Sequence, residues 1–389
     1  MFRTHACEDQ SGIYSSSNLS VRNPLAWVPL IVAAFASYGS VGYNYGFALY
    51  FLNYNHGFVK RGLVGGLFSQ VAFFTRSELL FLEYAFLVAA YALCYFVFRR
   101  ALFRDASSST VAVLLLSAPG TLSHIGYLFA QPDVTLFLLL LLSVWCFLHL
   151  QPAVAAVVSL PLCSVALLAH EAFSLMFYPL VVAILLQLCR SKKLPWTMGL
   201  AHVAVVFGCF VYIVHFGTLK VSPDTILAEA NARTNIGIQR QVYDVMASTF
   251  AQQQELVRRM YTSYIWRMIA LTFAMTAPYL WLLSSLLRRA MRAAAMPAWQ
   301  KVVTPLLFLL PLVLCVMGHD FTRWLGAGCV DASLFILYLL LTNGGVKEAL
   351  GEWASPKQLA WLGYLVAVGP MGATGIRSAE QILAAWNGR

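Results

Sequence analysis

The sequence predicts an all-α fold, a polytopic bundle of transmembrane helices. Apolar residues make up 60% of the 389 residues, and Asp, Glu, Lys and Arg together make up only 11%. A soluble domain carries about 25% charged residues, so this chain could not cover a soluble surface. Disorder is excluded as well, because disordered chains combine low hydrophobicity with high charge. The long apolar runs complete the case for membrane-spanning helices.

About eleven apolar segments, with a range of ten to twelve, are predicted to span the membrane. Several fall short of the roughly 20 residues that cross a bilayer upright, and prolines interrupt some of them. We treat 26–375 as one membrane domain, preceded by a polar cytoplasmic tail (1–25) and followed by a short tail (376–389). The predicted spans are 26–43, 79–98, 109–130, 134–150, 153–169, 172–189, 196–217, 264–287, 302–318, 325–342 and 358–375.

The net charge of +10 is explained by topology rather than by a nucleic-acid partner. Ten of the 26 basic residues lie in three clusters between predicted spans, and clusters of this kind mark cytoplasmic loops. Four spans separate the first two clusters and two separate the last two, so all three can share the cytoplasmic side. The N-terminus is then inside. The clusters are Arg99, Arg100 and Arg104; Arg190, Lys192 and Lys193; and Arg288, Arg289, Arg292 and Lys301.

Two connections are predicted to carry structure outside the membrane. The first outer loop, 44–78, contains a mildly apolar run from Gly62 to Phe74 that is too short to span, so we expect an interfacial or re-entrant helix there. The long connection 218–263 is predicted to be an external helical hairpin. A helix-start pattern at Ser222 and a break at Asn235–Gly237 define its two arms.

Four polar motifs fall on this same outer face, although the topology was assigned from other residues. A charge near the bilayer centre costs about 2.5–3.5 kcal/mol on insertion scales, so intramembrane ionisable residues suggest a functional site. The motifs are Lys60-Arg61, Asp133, His170-Glu171, and His319-Asp320 with Arg323-Trp324.

Each motif also has a structural interpretation. Lys60-Arg61 could anchor lipid headgroups or bind phosphate, which a guanidinium grips with two hydrogen bonds. Asp133 could cap the next helix. His170-Glu171 could form a hydrogen-bonded turn, or Glu171 could be a general base with a pKa raised by desolvation.

The last motif likewise has a structural and a functional interpretation. Asp320 and Arg323, three residues apart, could form an internal ion pair, and Trp324 could be an interfacial aromatic residue. The four motifs together on one face favour a site. The predicted catalytic residues are Glu171 or Asp320 as base, with His170, Asp133 and His319, and the predicted substrate-binding residues are Lys60, Arg61, Arg323 and Trp324, with Arg240 or Arg258 from the hairpin.

Cations that hold a diphosphate and an acid that deprotonates a hydroxyl suit transfer of a sugar from a polyprenyl-linked donor. The architecture and the strings FVKRGLVG, HEAF and GHDFTRW resemble multi-pass bacterial inner-membrane proteins of surface-polysaccharide loci, including glycosyltransferases of the GT-C class and O-antigen polymerases. That resemblance implies a glycan acceptor and polysaccharide-assembly partners. GT-C enzymes commonly carry an acid in the first outer loop, whereas 44–77 has none, so the base would be Asp133, Glu171 or Asp320.

The rival function is a transporter or flippase for an anionic or lipid-linked substrate, and a non-catalytic membrane scaffold is a third. A transporter should hold its polar residues near the membrane midplane, whereas a transferase should hold them beneath one leaflet. No metal-ligand spacing occurs, so the sequence indicates no cofactor and leaves a divalent metal open.

Overall fold

The computed structural model describes residues 44–103, 105–117, 120–261, 263–316, 318 and 320–351. Within these ranges the chain is helical, and its only β pairing is an isolated bridge between Phe74 and Thr234. The helices are α1 (Asn44–Ala48), α2 (Leu63–Leu67), α3 (Arg76–Leu102), α4 (Ala106–Ser117), α5 (Leu122–Tyr127), α6 (Asp133–His149), α7 (Pro152–Ala169), α8 (Phe173–Met176), α9 (Tyr178–Arg190), α10 (Trp196–Phe216), α11 (Pro223–Ala232), α12 (Gln241–Ala247), α13 (Phe250–Met260), α14 (Ser263–Ala293), α15 (Ala298–Leu309), a 3-10 helix (Leu310–Val316), α16 (Phe321–Thr342) and α17 (Gly344–Gly351).

In the described part of the chain, six helical stretches are long and apolar enough to cross a membrane. They are Arg76–Leu102, Ser108–Tyr127, Pro152–Ala169, Trp196–Phe216, Ala298–Val316 and Phe321–Thr342. Helices α6 and α9 are apolar but shorter, and the predicted span 264–287 lies within α14. The predicted spans 26–43 and 358–375 lie outside the described residues. The all-helical membrane character is therefore confirmed, and the count of eleven stays a prediction.

The predicted helix from Gly62 to Phe74 is wrong in extent. Only α2 forms there, and the chain then turns until Phe74 donates its amide hydrogen to the carbonyl oxygen of Arg233 at 2.8 Å. The guanidinium of Arg233 also donates to the carbonyl oxygens of Phe68 and Val71, both at 2.9 Å. A helix this short is marginal by itself, so pairing with the distant segment decides the conformation.

The connection 218–263 is helical as predicted, but it forms three helices rather than a two-armed hairpin. The break at Asn235–Gly237 lies between α11 and α12, and a second break at Ser248 separates α12 from α13. Thr249 causes it, because its hydroxyl accepts from the Gln252 amide while the Gln252 side chain accepts from the Thr249 amide. Such a capping box starts a new helix.

Helix α16 is the central helix of the bundle. Of its apolar stretch, 89% is buried inside the bundle, and the helix packs against α3, α4, α9, α14 and α15. By contrast, only 22% of the apolar stretch of α10 is buried, so this helix lies at the periphery. A lipid bilayer accounts for that exposure, since a soluble monomer rarely shows so large an apolar face.

The described members of the three basic clusters lie at one end of the bundle, which we call the basic end. Arg190 donates to the carbonyl oxygen of Ala295 at 2.6 Å, and Arg289 donates to that of Ala349 at 3.3 Å. Lys347, close to Ala349 along the chain, pairs with Asp105 at 3.4 Å. These contacts tie the loops that carry the clusters to each other, as the topology prediction requires.

Candidate functional site

Arg61 and Glu171 form the first ion pair of the candidate site. Arg61 Nε donates to Glu171 Oε2 at 2.9 Å, and Nη2 contacts Oε1 at 2.5 Å. Arg61 has a backbone φ of 64°, in the left-handed region that non-glycine residues seldom occupy. Glu171 follows the C-terminus of α7, so the pair joins the first outer loop to the α7–α8 turn.

Asp133 and Arg323 form the second pair, between the first residues of α6 and of α16. Arg323 Nε donates to Asp133 Oδ1 at 2.9 Å, and Nη2 donates to Oδ2 at 2.6 Å. The expected contact of Arg323 with Asp320 is present but longer, at 3.5 Å. The interpretation of Asp133 as a helix cap is wrong: Pro132 is at the cap position, and the Asp133 carboxylate is committed to Arg323.

His170 lies between the two ion pairs. Its Nδ1 accepts the amide hydrogen of Ala172 at 3.1 Å and is 3.7 Å from Glu171 Oε2. Burial holds the pKa of His170 well below its ordinary value, and the nearby guanidinium groups of Arg61 and Arg323 lower it further. The imidazole is therefore neutral, with its proton on Nε2.

The pKa of Glu171 corrects an expectation. Burial alone would raise it, as the sequence suggested, but the Arg61 guanidinium outweighs burial and holds the pKa well below its ordinary value. Lys60 shows the opposite balance: burial lowers the pKa of its ammonium group, although the Glu171 carboxylate opposes that shift. Glu171 is thus a stable carboxylate rather than a carboxylic acid.

The structure brings seven of the predicted residues together. Lys60, Arg61, Glu171 and Arg323 all act on His170 electrostatically, and Asp133 and Asp320 contact Arg323. We call this set, drawn from four chain segments, the charged cluster. It lies where α7 ends and where α6 and α16 begin, at the end of the bundle opposite the basic end. Its members are Lys60, Arg61, Asp133, His170, Glu171, Asp320 and Arg323.

Asp320 is the most accessible acid of the charged cluster. Its side chain is 49% exposed, whereas that of Glu171 is 15% exposed and that of Asp133 is fully buried. The preceding backbone is held by Tyr261, whose hydroxyl donates to the carbonyl oxygen of Gly318 at 3.1 Å. Burial raises the pKa of Tyr261 to about 12, so this hydroxyl remains a donor at neutral pH.

The other predicted residues are not members of the charged cluster. Trp324 is buried, with its ring against the backbone of Gly318, and it offers little surface to a substrate. Arg240 makes exposed ion pairs with Asp224 at 3.2 Å and Asp244 at 3.5 Å, and Arg258 is exposed on α13. His319 lies outside the described residues.

Sequence reasoning missed several buried ionisable residues, among them Glu83, His124 and Asp331. Glu83 of α3 accepts from the hydroxyl of Tyr50 at 2.9 Å, and His124 packs its ring on Gly326, one turn after Arg323. Asp331, within α16, has a fully buried carboxyl whose oxygens make no hydrogen bond within the described residues. A signal existed, because each interrupts a long apolar run, as Glu171 does.

Neither the arrangement of possible metal ligands nor a comparison with known proteins assigns a function to this chain. In the part of the chain that the structure describes, no three His, Cys, Asp or Glu side chains approach closely enough to hold a metal ion. No protein-family model, curated protein or solved structure matches this chain. The functional argument therefore depends on the charged cluster and its surroundings.

Proposed function

We propose that the protein is an integral-membrane glycosyltransferase or polysaccharide polymerase that uses a polyprenyl-phosphate-linked sugar donor at the outer face of a bacterial inner membrane. The observation that carries this proposal is the charged cluster itself, which gathers cations and acids from four distant segments at one end of a helical bundle. The basic clusters lie at the other end, and by the positive-inside rule that end faces the cytoplasm.

The cations of the charged cluster suit a phosphate. Arg61 and Arg323 present planar guanidinium groups, each already aligned by a carboxylate. Lys60 lies beside them, and its ammonium group makes no ion pair with any described residue. A donor phosphate would be attracted to this positive edge, and Lys60 can bind it without first breaking an ion pair.

The acids suit the acceptor. In the proposed step the hydroxyl oxygen of the acceptor sugar attacks the anomeric carbon of the donor, and the carbon–oxygen bond to the phosphate breaks, leaving the electron pair on the polyprenyl phosphate or diphosphate. The hydroxyl proton passes to a carboxylate. We assign this role to Asp320 before Glu171, because Asp320 is more exposed and a general base must reach the proton that it removes.

One observation favours the rival transporter function. Asp331 places a fully buried carboxyl in the middle of α16, where transporters bind ions. It is fully buried and far along the helix from Arg323, whereas the charged cluster lies at helix ends. The larger polar set thus supports a reaction beneath one leaflet, and the transporter remains the second candidate.

The test is a sugar-transfer assay on purified full-length protein in lipid nanodiscs, with a panel of radiolabelled prenyl-diphosphate sugars and a glycan acceptor. Glu171→Gln, Asp320→Asn and Arg323→Ala should each lower product formation at least tenfold, the expected scale for a general base or a charged contact. Arg240→Gln, at an exposed pair outside the charged cluster, should not. Normal product from all three variants would overturn the proposed site.

A further inference from the structure

A lateral groove lies between α7 and α10, beside the charged cluster. It has a volume of about 380 Å³ and is lined by Phe58, Ser164, Leu168, Gly208, Cys209 and Tyr212, among others. A second cavity of about 380 Å³ shares Phe58 and Leu168 with it and adds Tyr54, Gly57 and Leu63. The shared residues show that the two cavities adjoin, and we treat them together as the groove. Each volume lies within the usual 300–1,000 Å³ of ligand pockets.

The groove is apolar and faces the bilayer. The hydroxyl of Ser164 donates to the carbonyl oxygen of Leu160 at 3.0 Å, so this hydroxyl already has an acceptor without a polar ligand. Gly208 leaves a hollow in this lining: a Cβ added there would meet nothing within 4 Å, so the position has room for a larger side chain. The peripheral position of α10 opens the groove sideways, where a lipid chain can enter without crossing water.

One end of the groove meets the charged cluster. Leu168 precedes His170 by two residues and Phe58 precedes Lys60 by two. The Lys60 amide donates to the carbonyl oxygen of Gly217 at 2.8 Å, just past the end of α10. A chain lying in the groove would therefore bring its head group to the cation that has no ion-pair partner among the described residues.

We propose that this groove holds the first isoprenoid units of a polyprenyl phosphate whose phosphate contacts Lys60. The inference rests on the proposed function, since it says where the lipid part of the donor lies. A single groove accommodates one hydrocarbon chain, whereas a glycerophospholipid brings two. The apolar lining and the adjoining cation match the two halves of a prenyl phosphate.

The experiment is photo-crosslinking of the purified full-length protein in phosphatidylcholine nanodiscs with a diazirine-bearing farnesyl phosphate. Labelled peptides should map to α7, α10 and the Phe58 loop. Gly208→Trp, which fills the hollow, should reduce labelling about tenfold, and Lys60→Met should reduce it roughly tenfold to a hundredfold through loss of a charged contact. Unlabelled farnesyl phosphate should compete, and phosphatidylglycerol in equal amount should not.

Matched control variants show whether a loss of labelling is specific to the groove and to Lys60. Val214→Trp places the same side chain at an exposed position of α10 that does not line the groove, and Lys193→Met removes an exposed lysine at the basic end. Both should label like wild type, and Gly208→Leu supplies a smaller plug if the tryptophan variant unfolds. Undiminished labelling of both groove-filling variants, or equal competition by phosphatidylglycerol, would overturn the proposal.

The labelling experiment and the sugar-transfer assay distinguish failure of the lipid site from failure of the proposed enzyme activity. If the groove variants reduce labelling but no donor yields sugar transfer, the lipid site is supported and the proposed enzyme activity is overturned. If wild type transfers sugar but substitutions at Gly208 and Lys60 do not change labelling, the enzyme activity is supported and the lipid site is overturned.

Discussion

At the scale of single residues, burial distinguishes the two ion pairs of the charged cluster from the exposed ion pairs of the protein. Arg61 with Glu171 and Arg323 with Asp133 each join segments more than a hundred residues apart, 110 and 190 respectively. A charge buried in such a pair is costly to leave alone, whereas an exposed pair contributes little. This difference gives the cluster a structural role that stability measurements can separate from its proposed chemistry.

Asp133 and Asp320 share Arg323 but should differ in their effect on stability. Asp133→Asn leaves a buried guanidinium without its main counter-charge, so we expect a loss of about 3–5 kcal/mol in the free energy of unfolding. Asp320→Asn should cost less than about 1 kcal/mol, because Asp320 is half exposed and its pair is screened. Denaturant unfolding of the purified protein measures both, and equal losses would contradict the assignment.

Glu171 should make stability depend on pH in the acidic range. Arg61 holds the pKa of the folded state below the ordinary 4.5, so the ionised carboxylate stabilises the fold above that pH and the contribution disappears as the pH falls through the folded-state pKa. The gap in unfolding temperature between wild type and Glu171→Gln should therefore narrow below pH 4.5. Glu255→Gln, at an exposed i,i+4 pair, should show no such narrowing.

At the scale of helices and loops, local sequence explains where helices begin but not how short segments fold. The capping boxes at Thr75 and Thr249 start α3 and α13, and both follow from spacing alone. The run from Gly62 to Phe74 shows the opposite case. Its apolar pattern predicted a helix, yet hydrogen bonds to Arg233 and Thr234 keep its second half from forming one.

The cap of α13 gives a prediction at this scale. Thr249→Ala removes the hydroxyl acceptor and should destabilise the helix by about 1 kcal/mol, so amide hydrogens of α13 should exchange faster than in wild type. Thr249→Ser keeps the acceptor and should exchange as wild type does. Hydrogen exchange read by mass spectrometry makes the comparison. Unchanged exchange in the alanine variant would mean that packing, not the cap, holds α13.

At the scale of the whole molecule, the long connection 218–263 is fastened to the first outer loop. Besides the Arg233 contacts, the hydroxyl of Tyr243 donates to the carbonyl oxygen of Ala48 at 3.2 Å, and His56 Nε2 is 2.8 Å from Glu229 Oε1. Among the described residues, these contacts come from α11, α12 and the link between them.

The two ends of the bundle should be reached from opposite sides of the membrane. With native cysteines replaced, Lys220→Cys lies in the layer that carries the charged cluster and Lys193→Cys lies at the basic end; both positions are exposed. By the positive-inside rule, a membrane-impermeant maleimide should label Lys220→Cys in cells with permeabilised outer membranes and label Lys193→Cys only after lysis. The reverse pattern would invert the proposed orientation of the site.

The sequence by itself determined the helical membrane character, the separation of basic clusters from a few isolated charges, and the choice of most cluster members. Composition and spacing suffice for these, because the cost of placing charge in hydrocarbon acts on each residue wherever it lies. The same rule applied throughout would also have found Glu83, His124 and Asp331.

Only the tertiary structure decided how the charges are paired. The sequence left Asp133 either a helix cap or a site residue, and it offered Glu171 either a turn or a general base with a raised pKa. In the structure each carboxylate binds a guanidinium from a remote segment. The lateral groove likewise depends on the packing of α7 beside α10. Such features follow from packing between segments far apart in the chain, and local sequence patterns do not determine which helices become neighbours.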